Sequence, residues 1–160
     1  LENMIQIKFK KLHENAVIPK KAHESDAGFD VVAVSVEYNT DSGFLEYDLG
    51  FSTEIPEGYK GIVVPRSSIS KYDLIMCNSP AQIDSSYRGS WKIRFKLVLP
   101  SNVNSETQTM NWDWIKQIKK YKVGDKIAQI FFEPVLSVNF LETEELISTQ
   151  RGEGGFGSTN

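Results

Sequence analysis

The run Asn78-Ser-Pro-Ala-Gln-Ile-Asp-Ser-Ser-Tyr-Arg-Gly-Ser-Trp91 decides how this chain is read. Before it stands Asp73-Leu-Ile-Met-Cys-Asn78. After it Trp91, Ile93, Phe95, Leu97 and Leu99 alternate with Lys92, Arg94, Lys96 and Val98. A period of two, apolar on one side and mostly cationic on the other, marks a half-buried strand. The interval Asp84-Ser-Ser-Tyr-Arg-Gly89 is rich in turn formers, so the segment reads as a hairpin between two strands. Its tip then holds the Asp84 carboxylate close to the Tyr87 phenol. Turn chemistry alone also accounts for Asp84 and Gly89, so this stretch by itself leaves both readings open.

Outward from the hairpin, the chain reads as a series of short strands. Met4–Lys10 alternates, and Ala27–Ala33 follows a polar loop. Phe44–Ile55 is one strand or a broken pair, closed by Pro56-Glu57-Gly58. Tyr59–Val64 ends at Pro65. Arg66–Tyr72 suits a short helix capped by Ser67 or Ser68. Lys126–Pro134 reads as a buried strand with one polar insider, Gln129, and Val135–Glu142 as the last strand. Short strands punctuated by turn residues predict an all-β sandwich or barrel.

One segment departs from that pattern. After a polar loop from Ser101, Asn111 suits a helix cap, with Asp113 in the first turn. Trp114, Ile118 and Tyr121 fall four and three apart, and Lys116, Lys119, Lys120 and Lys122 crowd the last turn, where cations complement the dipole. This predicts a helical insertion over about 101–122. Its apolar face packs on the domain itself or meets a partner.

Length and composition narrow the class. The chain has 160 residues, 40% apolar and 24% charged, which suits one soluble domain. A net charge of −3 lacks the basic excess of a nucleic-acid surface. No apolar run approaches the ~20 residues of a membrane span. Cys77 is the one cysteine, so no internal disulfide forms, in keeping with a reducing compartment. No charged-then-apolar leader is evident, and Leu1–Asn3 are read as an addition ahead of a native start at Met4. The expected location is the cytoplasm, or a host's cytoplasm for a viral protein.

The chemistry sits in scattered motifs. The last ten residues hold four glycines, Arg151, Phe156, Gly157, Ser158 and Thr159. Such a stretch is either a plain tail or a lid for a nucleotide. In a lid, Gly-rich backbone and Arg151 receive phosphate and Phe156 covers a base. The domain is therefore divided as a β body over 1–148 and a flexible arm over 149–160. Arg66-Ser67-Ser68 ahead of a short helix is a second candidate phosphate site. Gln129 among apolar neighbours needs a partner, from the backbone or from a ligand. No histidine or cysteine cluster suggests a protein-built zinc site. His13 and His23 read as surface residues.

Five segments, taken in order, resemble the trimeric dUTPase family. They are Ala27-Gly-Phe-Asp-Val31, Pro65-Arg-Ser-Ser-Ile69, Asn78 through Gly89 with Ile83, Asp84 and Tyr87, Gly124-Asp-Lys-Ile-Ala-Gln129, and Arg151-Gly-Glu-Gly-Gly-Phe-Gly-Ser-Thr159. The resemblance implies a jelly-roll-like β-barrel and a homotrimer with active sites shared between copies. It also implies cleavage of dUTP to dUMP and pyrophosphate with Mg²⁺ on the triphosphate. Asp84 is then the general base, and Tyr87 packs on the deoxyribose. Asn78 and backbone near Gln82, Ile83 and Lys92 read uracil. Arg66, Ser67, Ser68 and Gln129 face the phosphates, and Asp30 reaches the metal through water. Arg151, Gly157, Ser158 and Thr159 belong to the arm, with Phe156 over the uracil. Three positions depart from the family pattern: Ala81 and Ser68 where glycine is frequent, and Ser86 where an acid is frequent.

Two rivals remain at this level. A dCTP deaminase resembles the same scaffold, but places a catalytic Glu where Arg94 stands. A trimeric nucleotide-binding regulator would act through the 101–122 insertion on a partner protein.

Overall fold

A computed structural model describes residues 4–98 and 117–157. Ten strands and one short 3-10 helix make up its regular structure. In order the strands are β1 (Lys8–Lys11), β2 (Phe29–Val32), β3 (Ser35–Asn39), β4 (Phe44–Asp48) and β5 (Phe51–Glu54). They continue with β6 (Tyr59–Val64), β7 (Leu74–Met76), β8 (Ala81–Ile83), β9 (Lys92–Leu97) and β10 (Lys126–Pro134). The all-β expectation holds. No helix among the described residues is long and apolar enough to cross a membrane.

Every pairing is antiparallel. One sheet runs β2-β10-β6-β8, a second runs β3-β4-β9-β7, and β1 pairs with β5. Strand β9 shows why. Ile93 and Phe95 are buried, while Lys92, Arg94 and Lys96 face outward, as the alternation requires. Strand β10, which lies between β2 and β6, buries Ile127, Ala128 and Ile130. A single core cluster draws on both four-stranded sheets, including Tyr47, Phe95, Ile127 and Ile130. Each such side chain contributes about 1.5–3 kcal/mol relative to exposure. Trp91 sits where they meet, its ring 5.5 Å from Phe51 and 6.4 Å from Phe132, its indole N–H donating to Thr53 Oγ1 at 3.0 Å.

Several expectations need correction. The Asn78–Trp91 stretch is not a simple hairpin turn. β7 and β9 do pair across it, but β8 inside it leaves that sheet and pairs with β6 of the other. The Phe44–Ile55 run is the broken pair, because Gly50 takes a φ of +68° between β4 and β5. β1 begins later than Met4, at Lys8. β3 lies over Ser35–Asn39, which the sequence reading left unassigned.

The short helix is a 3-10 turn over Ser67–Lys71 with Arg66 at its cap. Neither Ser67 nor Ser68 caps it, because the turn closes through backbone, with Ile69 N–H donating to Arg66 C=O at 3.0 Å.

Residues 117–122, the expected end of the insertion helix, form a turn and then irregular chain. Core contacts hold them that way. Tyr47 Oη donates to Tyr121 C=O at 2.8 Å, Asp73 N–H donates to Lys119 C=O, and Lys119 N–H donates to the Asp73 carboxylate. Ile118 and Tyr121 are buried. The rest of that insertion, with Asn111, Trp114 and Lys116, lies outside the described residues.

Val135–Glu142 is not a strand. Val135 N–H donates to Gly58 C=O at 2.8 Å, but the chain beyond finds no neighbouring strand. Leu136, Phe140 and Leu141 are more than 80% exposed, so these apolar side chains gain no burial that would hold a strand among the described residues.

Candidate active site

A cavity of about 560 Å³ opens beside β8. Antiparallel pairing with β6 occupies one edge of that strand, Gly61 opposite Ile83 and Val63 opposite Ala81. The other edge has no strand partner among the described residues. Backbone donors and acceptors there are available to a flat polar ring. Asn78, Gln82, Ile83, Asp84, Tyr87 and Lys92 all line this cavity, so the structure brings together six of the expected residues.

Local chemistry shapes the wall. Asp84 follows directly after β8 and is exposed, with Tyr87 N–H donating to Asp84 C=O at 3.1 Å. Tyr87 is 42% exposed, and its phenol donates to Ser90 C=O at 2.9 Å. The Lys92 ammonium is held by Glu46 at 2.8 Å, and Arg94 Nε donates to the same carboxylate at 2.7 Å. The Lys92 hydrogen bond is the main cause holding the Glu46 carboxyl below its usual range, and the same bond raises Lys92. Gln82 Oε1 accepts from Lys60 Nζ at 3.0 Å. Cys77 and Arg94 also line the cavity, which the sequence reading did not foresee. Their place follows from β7–β9 pairing, where Cys77 N–H donates to Arg94 C=O.

A second polar cavity of about 290 Å³ gathers Asp30, Arg66, Ser67 and Gln129 with Gly28. Gln129 Nε2 donates to Pro65 C=O at 3.1 Å, so its amide has the backbone partner that burial requires. Gly28 leaves room for that amide, since a Cβ there would fall 2.7 Å from Gln129 Oε1. Ser68 stands behind, within 3.4 Å of Arg66 Nη1. Asp30 is held twice: Arg66 Nε donates to one oxygen at 2.9 Å and Lys126 Nζ meets the other at 2.9 Å. Lys126 is a member of this group that only long-range pairing of β10 with β2 reveals.

No group of three or more His, Cys, Asp or Glu among the described residues could hold a metal ion. Asp30, with both oxygens engaged by cations, does not build an inner-sphere Mg²⁺ site. It fits outer contact with an ion whose other ligands are phosphates and water.

The described residues of the arm, 149–157, line neither cavity. Arg151 Nε donates to Gly154 C=O at 2.8 Å, and Phe156 is fully exposed with a φ of 51°. Gly157 takes a φ of 82°. Ser158 and Thr159 lie outside the described residues.

Fold and cavities define an all-β protein whose main polar site opens at a sheet edge. A family model described as dUTPase matches residues 14–160. The chain is 33% identical over 157 residues to the deoxyuridine 5'-triphosphate nucleotidohydrolase of Alkaliphilus metalliredigens, covering 98% of both. It is 35% identical over 157 residues to the protein of that name from Clostridium acetobutylicum, covering 98% of this chain and 97% of that one. The solved structure of the Staphylococcus bacteriophage 80alpha dUTPase with dUPNHPP matches with a TM-score of 0.74 at 26% identity, covering 98% of this chain and 99% of that one. The chain belongs to the dUTPase family.

Proposed function

We propose that this chain hydrolyses dUTP to dUMP and pyrophosphate, limiting uracil in DNA and supplying dUMP for thymidylate synthesis. The observation that carries the reading is the β8 cavity, which sets an exposed carboxylate and a phenol beside a free strand edge. Asp84 orients a water and takes its proton. The water oxygen bonds to the α-phosphorus, the bond to the bridging oxygen breaks, and pyrophosphate leaves. Such a positioned base contributes about 10²–10⁴-fold. Tyr87 walls the deoxyribose. Asn78 and the backbone of Gln82, Ile83 and Lys92 read uracil, so that cytosine leaves donors and acceptors unpaired.

Arg66, Ser67, Ser68 and Gln129 receive the phosphates. Mg²⁺ carried on the triphosphate would neutralise its charge, with Asp30 in outer contact. Arg151, Gly157, Ser158 and Thr159 close on the terminal phosphate, and Phe156 covers the base. A closed arm excludes water and strengthens the electrostatics inside.

The active unit is a homotrimer. The base-type and phosphate-type cavities of one chain share no lining residue and the described arm residues line neither, which supports sites shared between copies. The exposed apolar run Leu136–Leu141 gives such copies a surface to bury. The protein works in the cytoplasm, or in a host's cytoplasm for a viral source.

Pyrophosphate release measured across all the deoxynucleoside triphosphates and UTP tests this function. Release from dUTP far above the rest is expected. Comparable release from several nucleotides, or ammonia from dCTP, would overturn it.

A further inference from the structure

We infer that Asp48 is a positioning residue for sugar selection, acting through Ser90 on Tyr87; this rests on the dUTP reading above. Asp48 ends β4, outside the cavity. Its Oδ1 accepts from Gly50 N–H at 2.7 Å and from the hydroxyl of Ser90. The Ser90 carbonyl in turn accepts the Tyr87 phenol at 2.9 Å. One carboxylate oxygen thus ties the β4–β5 turn to the loop that carries Tyr87. The link joins residues 42 positions apart.

The rest of the loop is fitted to the same ring position. Gly89 lies directly under the Tyr87 ring, and a Cβ there would come within 2.6 Å of Cζ. Trp91, next after Ser90, is anchored at both its backbone groups. Its N–H donates to Phe51 C=O and its C=O accepts from Leu49 N–H, both at 2.9 Å. The loop is therefore fixed at Ser90–Trp91, and Ser90 is where its side chain and carbonyl connect Asp48 to the phenol.

The chemistry follows from where the phenolic proton goes. Tyr87 Oη gives it to Ser90 C=O, so the ring presents an apolar wall with no donor left for a sugar hydroxyl. A 2'-hydroxyl against that wall meets carbon and loses its water. Walls of this kind discriminate by about 10². Releasing the tether lets the ring swing and the phenol turn toward the sugar, which lowers discrimination without touching the base, the phosphates or Asp84.

The test compares kcat/KM for dUTP and UTP in the full chain. Ser90→Ala and Asp48→Ala should each lower the dUTP:UTP ratio about tenfold. Asp48→Asn keeps an acceptor oxygen for both donors and should preserve the ratio. In a Tyr87→Ala background, Asp48→Ala should change the ratio no further, since the shared pathway is already cut. A purely structural role for Asp48 would lower both kcat/KM values together and leave their ratio intact, and that result overturns the inference.

Hydrogen exchange at the Tyr87–Ser90 amides gives a readout without substrate. Ser90→Ala, which leaves the Asp48–Gly50 bond in place, should speed it, and unchanged exchange also refutes the tether. If the parent releases no pyrophosphate from dUTP, the functional reading fails, while exchange still decides the tether.

Discussion

Gly61 in the middle of β6 is the position where one methyl group should be felt in both stability and substrate affinity. A Cβ there would stand 2.8 Å from Trp91 Cη2 and 3.4 Å from Ile83 Cβ. The first contact is far inside ordinary packing distance, and Trp91 has little room to yield. Its indole is 1% exposed, hydrogen-bonded to Thr53 and flanked by Phe51 and Phe132. Overpacking of this kind costs about 1–3 kcal/mol. In a domain of this size that lowers Tm by roughly 2–4 °C per kcal/mol.

Ile83 is the register partner of Gly61, so the same methyl pushes on β8 and the base-type cavity. Gly61→Ala should therefore lower the denaturation midpoint and raise KM for dUTP together. Trp91→Phe removes the Cη2 and Cζ2 end of the ring that the methyl meets. Alone it should destabilise, through lost volume and an unpaired Thr53 hydroxyl. Combined with Gly61→Ala it should cost less than the sum of the two. Denaturant unfolding of the four proteins measures that coupling. Additive costs, or a Gly61→Ala protein as stable as its parent, would refute the packing at this seam.

Other expectations are independent of that seam. Asp84→Asn should lower kcat by about 10²–10⁴-fold while dUMP binding by calorimetry is retained; parental turnover would exclude Asp84 as the base. Truncation after Ser148 should leave the oligomer intact by light scattering and cleavage slow, and full activity would remove the arm from the site. The lowered Glu46 pKa gives a signed pH effect. Folding stability from its ion pairs is fully present above the ordinary value of 4.5 and is lost as pH falls through the depressed value below it. The stability gap between parent and Glu46→Gln should close across that acid window, and a gap independent of pH there would contradict the pairing.

Much of this was legible in the residues, and the failures share one cause. The alternating run at Lys92–Leu97 became β9, and the apolar runs at Tyr59–Val64 and Lys126–Pro134 became β6 and β10, because each has side chains to bury. β3 escaped notice because Ser35–Asn39 offers only Val36 and Tyr38 as apolar positions. The 117–122 stretch carried a helical spacing, but Asp73 and Tyr47, distant in sequence, take its backbone groups as hydrogen-bond partners instead. Val135–Glu142 has apolar residues enough for a strand but pairs with none among the described residues.

The site divides the same way. Asn78, Asp84 and Tyr87 lie in one short stretch of sequence, so their shared cavity could be anticipated. The grip of Lys126 on Asp30 and of Asp48 on Ser90 depends on strand order, which no local pattern encodes.

The detour of β8 from one sheet to the other has an evolutionary consequence. Because the pocket's two walls belong to different layers, its width is a property of how the layers stack. Replacing a lining side chain alters contacts but leaves the aperture as it was. Retuning which nucleobase fits would then require changes in the interior beneath the lining, and such changes are paid in foldedness. Lineages sharing this architecture would therefore keep their choice of base while their loops and surfaces diverge freely.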